Sequence, residues 1–150
     1  MIKSPEKSYD NLMSIISAHN KHDLTKKQSQ VIETLAKAGR PLGAYTILDE
    51  LRDDGFKAPL QVYRTLDQLI SLGFVHRLES LNAYIVCQME TCGSTDNLNT
   101  SFIICDLCGL VQELPHTAVE SAARILLDKL NFTPTKSTIE IRGLCHACQS

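Results

Sequence analysis

Cys105-Asp-Leu-Cys108-Gly109 and Gly143-Leu-Cys145-His-Ala-Cys148 constrain this chain more than any other feature. A Cys-x-x-Cys on a tight turn aims two sulfurs at one point, and Gly109 permits the backbone turn that follows. Two such turns supply the four thiolates of a closed tetrahedral zinc site, which is structural because it leaves no open position for a substrate. The 36 residues between the pairs leave room for a helix and a strand. Iron is the commonest substitute metal for such a site. The competing readings are a redox Cys-x-x-Cys or buried free thiols. A redox motif usually opens a helix after a strand, and neither pair does so here.

The remaining features fit the same compartment and class. The N-terminal run Met-Ile-Lys-Ser-Pro-Glu-Lys has no apolar core and no small-residue cleavage site. No apolar run approaches the ~20 residues of a membrane helix. The chain therefore reads as cytoplasmic, where six cysteines favour metal ligation or redox chemistry over disulfides. An enzyme is not expected. Zinc deaminases carry an upstream His-x-Glu and a Pro before the first Cys-x-x-Cys; there is no His-x-Glu, and Ile104 precedes Cys105. P-loop, Rossmann and nucleophile–base patterns are also missing.

The 150 residues, 43% hydrophobic and 21% charged, suffice for one ordinary domain or two small ones, and the pattern divides in two. The first part reads as helices: Glu6 to His22 with Leu12, Ile15, Ile16 and His19 at helical spacing, then a capping box at Thr25-Lys-Lys-Gln28 opening a helix that buries Val31, Ile32 and Leu35. A helix over Ala44 to Asp54 buries Ile47, Leu48 and Leu51. Another starts at Pro59, buries Val62, Leu66, Leu69 and Ile70, and stops at Gly73. The connection Gly55-Phe-Lys-Ala58 suits a helix-turn-helix. The hairpin expected next, Phe74 to Leu78 and Ala83 to Cys87, is the wing of a winged helix, with a helical bundle carrying a hairpin as the alternative.

Beyond Cys87 the chain turns polar to Thr100, as a hinge would. Strands are expected at Ser101 to Cys105, Leu110 to Leu114 and Ser137 to Arg142. Between them Thr117 to Leu130 reads as a helix with Val119, Ala122, Ala123, Leu126 and Leu130 inward. The expected organisation is α+β: an N-terminal winged-helix domain over 1–87, a hinge over 88–100, and a small α/β zinc-binding domain over 101–150. Residues 1–83 hold 11 Lys and Arg against 10 Asp and Glu, and the remainder holds 4 against 7. That asymmetry points toward a DNA-facing N-terminal half, though the net charge of −2 carries little weight. On the Pro59 helix, Gln61, Arg64, Thr65 and Gln68 fall at i, i+3, i+4 and i+7, opposite the apolar stripe. Arg and Gln suit guanine and adenine edges; the alternative is a solvated polar face.

Several ordered motifs resemble the ferric uptake regulator family: Leu24-Thr25 with Gln28, Pro41-Leu-Gly-Ala-Tyr45, Val62-Tyr-Arg-Thr-Leu66, Gly73-Phe-Val-His-Arg77, Ile104-Cys-Asp-Leu-Cys-Gly109 and Gly143-Leu-Cys-His-Ala-Cys148. The stretch Val75 to Cys87 is similar to the family's zinc uptake regulator branch. The resemblance implies a homodimer, its second domain serving dimerisation, that represses zinc-import genes from a palindromic operator when metal-loaded. It makes Arg64 the leading base contact, and adds Tyr45 as a phosphate or thymine contact and Tyr63 to the DNA-facing set. The family more often has Thr where Gln61 stands, so base preference does not transfer. A second, regulatory zinc is implied on His76, Cys87 and Glu113, giving two per chain. The family's remaining ligand is a histidine in the loop before Cys105, and no histidine lies between Cys87 and Cys105. Cys92 is favoured in its place, Asp96 is the alternative, and His116 is a further candidate. Two other functions stay open: a regulator of the same family answering to iron or another metal, and a structural-zinc module that docks a protein partner.

Overall fold

Thr25 starts a helix in the way its residue type predicts. Its hydroxyl accepts the Gln28 amide at 3.3 Å, and Gln28 Oε1 accepts the Thr25 amide at 2.9 Å, completing both halves of the box. The computed structural model describes residues 24–88 and 99–149, with Asp10, Met13, Ser14 and Ser17 before them. The helix expected over Glu6 to His22 therefore lies mostly outside the described residues, as do Cys92 and Asp96. The chain divides into two units, Met1–Ser94 and Thr95–Ser150.

In the first unit, α1 (Lys26–Ala38) buries Val31, Ile32 and Leu35. Helix α2 (Ala44–Glu50) is shorter than its sequence pattern suggested. Leu51 and Phe56 are buried, but Arg52, Asp53 and Asp54 between them are exposed, so nothing packs to extend the helix. Instead the Phe56 amide returns to the Leu51 carbonyl at 3.2 Å, and Gly55 at φ 98° makes the reversal. Helix α3 (Pro59–Ser71) follows with Pro59 in its first turn. Strands β1 (Val75–Leu78) and β2 (Ala83–Val86) pair antiparallel across a short 3₁₀ turn. Leu42 adds an edge to this wing by exchanging both backbone hydrogen bonds with Tyr84, at 3.0 and 2.8 Å. The helices and hairpin meet on Ile47, Phe56, Val62, Leu66, Leu69 and Phe74, each 0% exposed. Burying such a side chain contributes roughly 1.5–3 kcal/mol.

The second unit is a three-stranded sheet in the order β4-β3-β5, from β3 (Asn99–Cys105), β4 (Val111–Leu114) and β5 (Ser137–Gly143). Strands β3 and β4 are antiparallel and follow each other through a short turn. Strands β3 and β5 are parallel, which requires a crossover, and α4 (His116–Lys129) lies within it. The inward face of α4 differs from the expected one. Val119, Ala123 and Leu127 are half-buried, whereas Ala122 is exposed and Leu126 and Leu130 are 63% and 75% exposed. One helix resting on a three-stranded sheet seats a single i, i+4, i+8 stripe. The apolar residues about 100° around the helix stay in solvent in a single copy.

Candidate metal centre and nucleic-acid interface

The sheet register brings the four paired cysteines together. Cys105 ends β3 directly opposite Gly143, the end of the parallel strand β5. Both Cys-x-x-Cys turns thus leave the same end of the sheet. Gly109, at φ 74°, closes the first turn by donating its amide to the Cys105 carbonyl at 3.0 Å. All four sulfurs lie within 4.8 Å of one another, and Cys108 Sγ and Cys145 Sγ are 3.7 Å apart. With Zn–S bonds of about 2.3 Å, the edge of a tetrahedron is about 3.8 Å, so this spacing fits zinc.

The electrostatics point the same way. Amides of Cys108, Cys145 and Leu107 are directed at the Cys105 sulfur and hold its thiol down at about 6. One of them, the Cys145 amide, donates at 3.4 Å. Cys148 is pushed up to about 12, first by its hydrogen bond with the Cys145 side chain and then by burial. With Cys105 held low and Cys108 and Cys148 pushed up by neighbouring thiols, the cluster ionises once readily and resists further charge. A divalent cation removes that resistance, and an all-sulfur donor set suits zinc.

On the winged helix, the expected DNA-facing residues have unequal surroundings. Tyr45, in the first turn of α2, is 65% exposed, and Arg64 is exposed midway along α3. Tyr63 is half-buried. Gln68 is exposed, and its Oε1 accepts from Gln28 Nε2 at 3.2 Å. Gln61 is turned back over the start of α3, where its Oε1 accepts the amides of Lys57 at 2.7 Å and Ala58 at 3.3 Å. This capping role was missed in the sequence, although Gln at the third helical position after Ala58 was its signal. Thr65 is buried, and its hydroxyl donates to the Gln61 carbonyl at 2.8 Å.

Two of the residues expected at a regulatory site lie in the first unit. His76 on β1 pairs with Ile85, and Cys87 is two residues beyond Ile85, so both share one face of the hairpin. Both are buried, with a His76 nitrogen and Cys87 Sγ within 4.8 Å. Glu113 belongs to the second unit, half-buried on β4 opposite Phe102. His116 opens α4.

The model of the ferric uptake regulator family matches residues 19–142. The chain belongs to this family. It is 35% identical over 134 residues to the zinc uptake regulation protein of Escherichia coli (strain K12), covering 89% of this chain and 77% of that relative. Its structure is similar to that of holo XcZur, with a TM-score of 0.77 and 34% identity over 93% of this chain and 97% of that one. A zinc uptake regulator complexed with zinc and DNA is equally similar in structure, with a TM-score of 0.77 and 31% identity over 97% of this chain and 95% of that one. The winged-helix and zinc-domain architecture expected from the sequence is thus that of the family. The family is one of regulators and not of enzymes. Among the described residues no helix is long and apolar enough to cross a membrane.

Proposed function

We propose that this protein is a zinc-responsive transcriptional repressor that acts in the cytoplasm, as a homodimer on a palindromic operator, and controls zinc-uptake genes. The observation that carries this reading is the likeness over 97% of the chain to a zinc uptake regulator solved with zinc and DNA. An exposed Arg64 and Tyr45 on the winged helix support contact with DNA. Exposed Ile125, Leu126, Leu130 and Phe132 along and after α4 support a second copy of the chain as their cover.

Two zincs per chain are part of the reading. Cys105, Cys108, Cys145 and Cys148 hold the structural ion. His76, Cys87 and Glu113 hold the regulatory one, completed by Cys92, with Asp96 as the alternative. Cys87 ligates metal only as a thiolate, so the protein is kept reduced. The experiment is to measure metal per chain in the reduced protein before and after mild chelation, with operator binding followed in parallel. About two zincs are expected, one of them lost to the chelator together with DNA affinity. Restoration of DNA binding by iron or manganese but not by zinc would overturn the choice of metal. Absence of salt-dependent DNA binding at any metal level would favour a protein-docking module.

A further inference from the structure

One ion pair sits against the cysteine cluster without belonging to it. Asp106 lies inside the first Cys-x-x-Cys turn, and Arg142 lies near the end of β5, three residues before the second. Arg142 Nη2 and Nε reach the same Asp106 oxygen, at 2.6 and 2.7 Å. Beside this pair the Asp106 amide donates to the Gly143 carbonyl at 2.8 Å, and the Cys145 amide donates to Cys105 Sγ. The first turn is therefore tied at successive points to the strand end that carries the second.

We propose that the Asp106–Arg142 ion pair is a clamp that holds the two Cys-x-x-Cys turns at zinc-binding separation and sets how long the tetrathiolate retains its metal. The proposal rests on the reading that these cysteines hold zinc. Neither residue is among the four clustered sulfur donors, so both act as positioning residues. The physical basis is preorganisation. Zinc leaves a four-cysteine site when one turn swings away and its thiolates are protonated or captured. A contact joining the turns makes that excursion rarer. Both side chains are nearly half exposed, at 44% and 47%, so solvent screens the pair and its effect on retention is modest.

A purely electrostatic role predicts a different pattern. Zinc with four thiolates carries a net charge of about −2. If charge alone mattered, neutralising Asp106 would strengthen metal retention and neutralising Arg142 would weaken it. A clamp loses in both cases, and loses nothing further when both residues are changed.

The test follows zinc transfer from the reduced, zinc-loaded full-length chain to excess 4-(2-pyridylazo)resorcinol, reading the slow, tightly held ion. Asp106→Asn and Arg142→Gln are each expected to release it about two- to fivefold faster, the scale of a solvent-screened ion pair. The double variant should match either single one, and Arg142→Lys should fall between, because an ammonium keeps the charge without the planar fork. Cobalt-loaded variants should keep the wild-type thiolate-to-cobalt charge-transfer absorption, since all four ligands remain. Single variants at the wild-type rate, shifts of opposite sign, or multiplied rates in the double variant would each overturn the clamp. A wild-type protein without the charge-transfer absorption would overturn the zinc reading beneath it.

Discussion

Arg64 and Thr65 adjoin in the chain and have opposite surroundings, which makes them a useful pair of probes. Arg64 is exposed on α3, while Thr65 is buried and hydrogen-bonded to the carbonyl one turn back. Arg64→Ala should leave melting temperature and zinc content unchanged. It should weaken operator binding by roughly 1–3 kcal/mol per half-site, about doubled in a dimer that reads both half-sites alike. Thr65→Ala should do the reverse, costing about 1 kcal/mol of stability and little discrimination between operator and scrambled DNA. Fluorescence anisotropy on both duplexes, with thermal melts, separates the two effects; unchanged operator affinity in Arg64→Ala would remove α3 from the recognition role. Sequence periodicity put Gln61, Arg64, Thr65 and Gln68 on one stripe, but it fixes only the angle around the helix. It does not say how far the core reaches around that angle, and Thr65, 100° from Arg64, falls inside it. Gln61 has a second, local role for another reason: a side chain long enough to reach a base also reaches the orphan amides at its own helix start.

At the scale of elements, the strongest local signals survived intact. The capping box at Thr25, Pro59 at a helix start and the two short hairpin strands around their polar turn need only neighbours in the sequence to act, so they are legible there. The short α2 and the exposed stripe of α4 depend on what lies opposite, which one chain's pattern does not contain. Leu42 joining the wing is likewise a tertiary pairing with Tyr84 that local sequence does not announce. The apolar residues left open on α4 yield a prediction of their own. If a second copy covers Leu126 and Leu130, replacing both with Glu places charge in an apolar interface, where each unpaired carboxylate carries a desolvation penalty of several kcal/mol. The double variant should run as a monomer in light-scattering chromatography at concentrations where the wild type is dimeric, and should keep its cysteine-bound zinc. A variant that remains dimeric would place the self-association surface elsewhere.

For the whole molecule, the paired cysteines were readable because Cys-x-x-Cys spacing is itself a geometric statement. The regulatory ligands were not, because His76, Cys87 and Glu113 are far apart in sequence and unremarkable singly. They entered through family resemblance, and the loop that should complete them departs from the family. The consequence is a testable switch. His76 and Cys87 belong to the wing unit and Glu113 to the sheet unit, so a metal held by all three would tie the two units together. On that proposal, wing units not held by the metal would sample many orientations, and only some would match half-sites spaced by whole turns of DNA. Zinc would then raise DNA affinity by removing an ordering cost, and by linkage DNA would raise zinc affinity by the same factor. With no histidine between Cys87 and Cys105, Cys92 is the proposed fourth ligand. Cys92→Ser should keep the structural zinc and the dimer, yet weaken the second zinc about 10- to 100-fold on the scale of lost metal-site interactions and blunt zinc-dependent operator binding; Asp96→Ala should do less. These titrations require reduced protein, because an oxidised Cys87 offers no thiolate. Should Cys92→Ser respond to zinc as wild type does while Asp96→Ala fails, the carboxylate is the ligand. Indifference to both, with loss in His76→Ala, leaves three protein ligands and assigns the fourth position to water or His116. A reduced wild-type chain that binds a single zinc would end the sensing mechanism altogether.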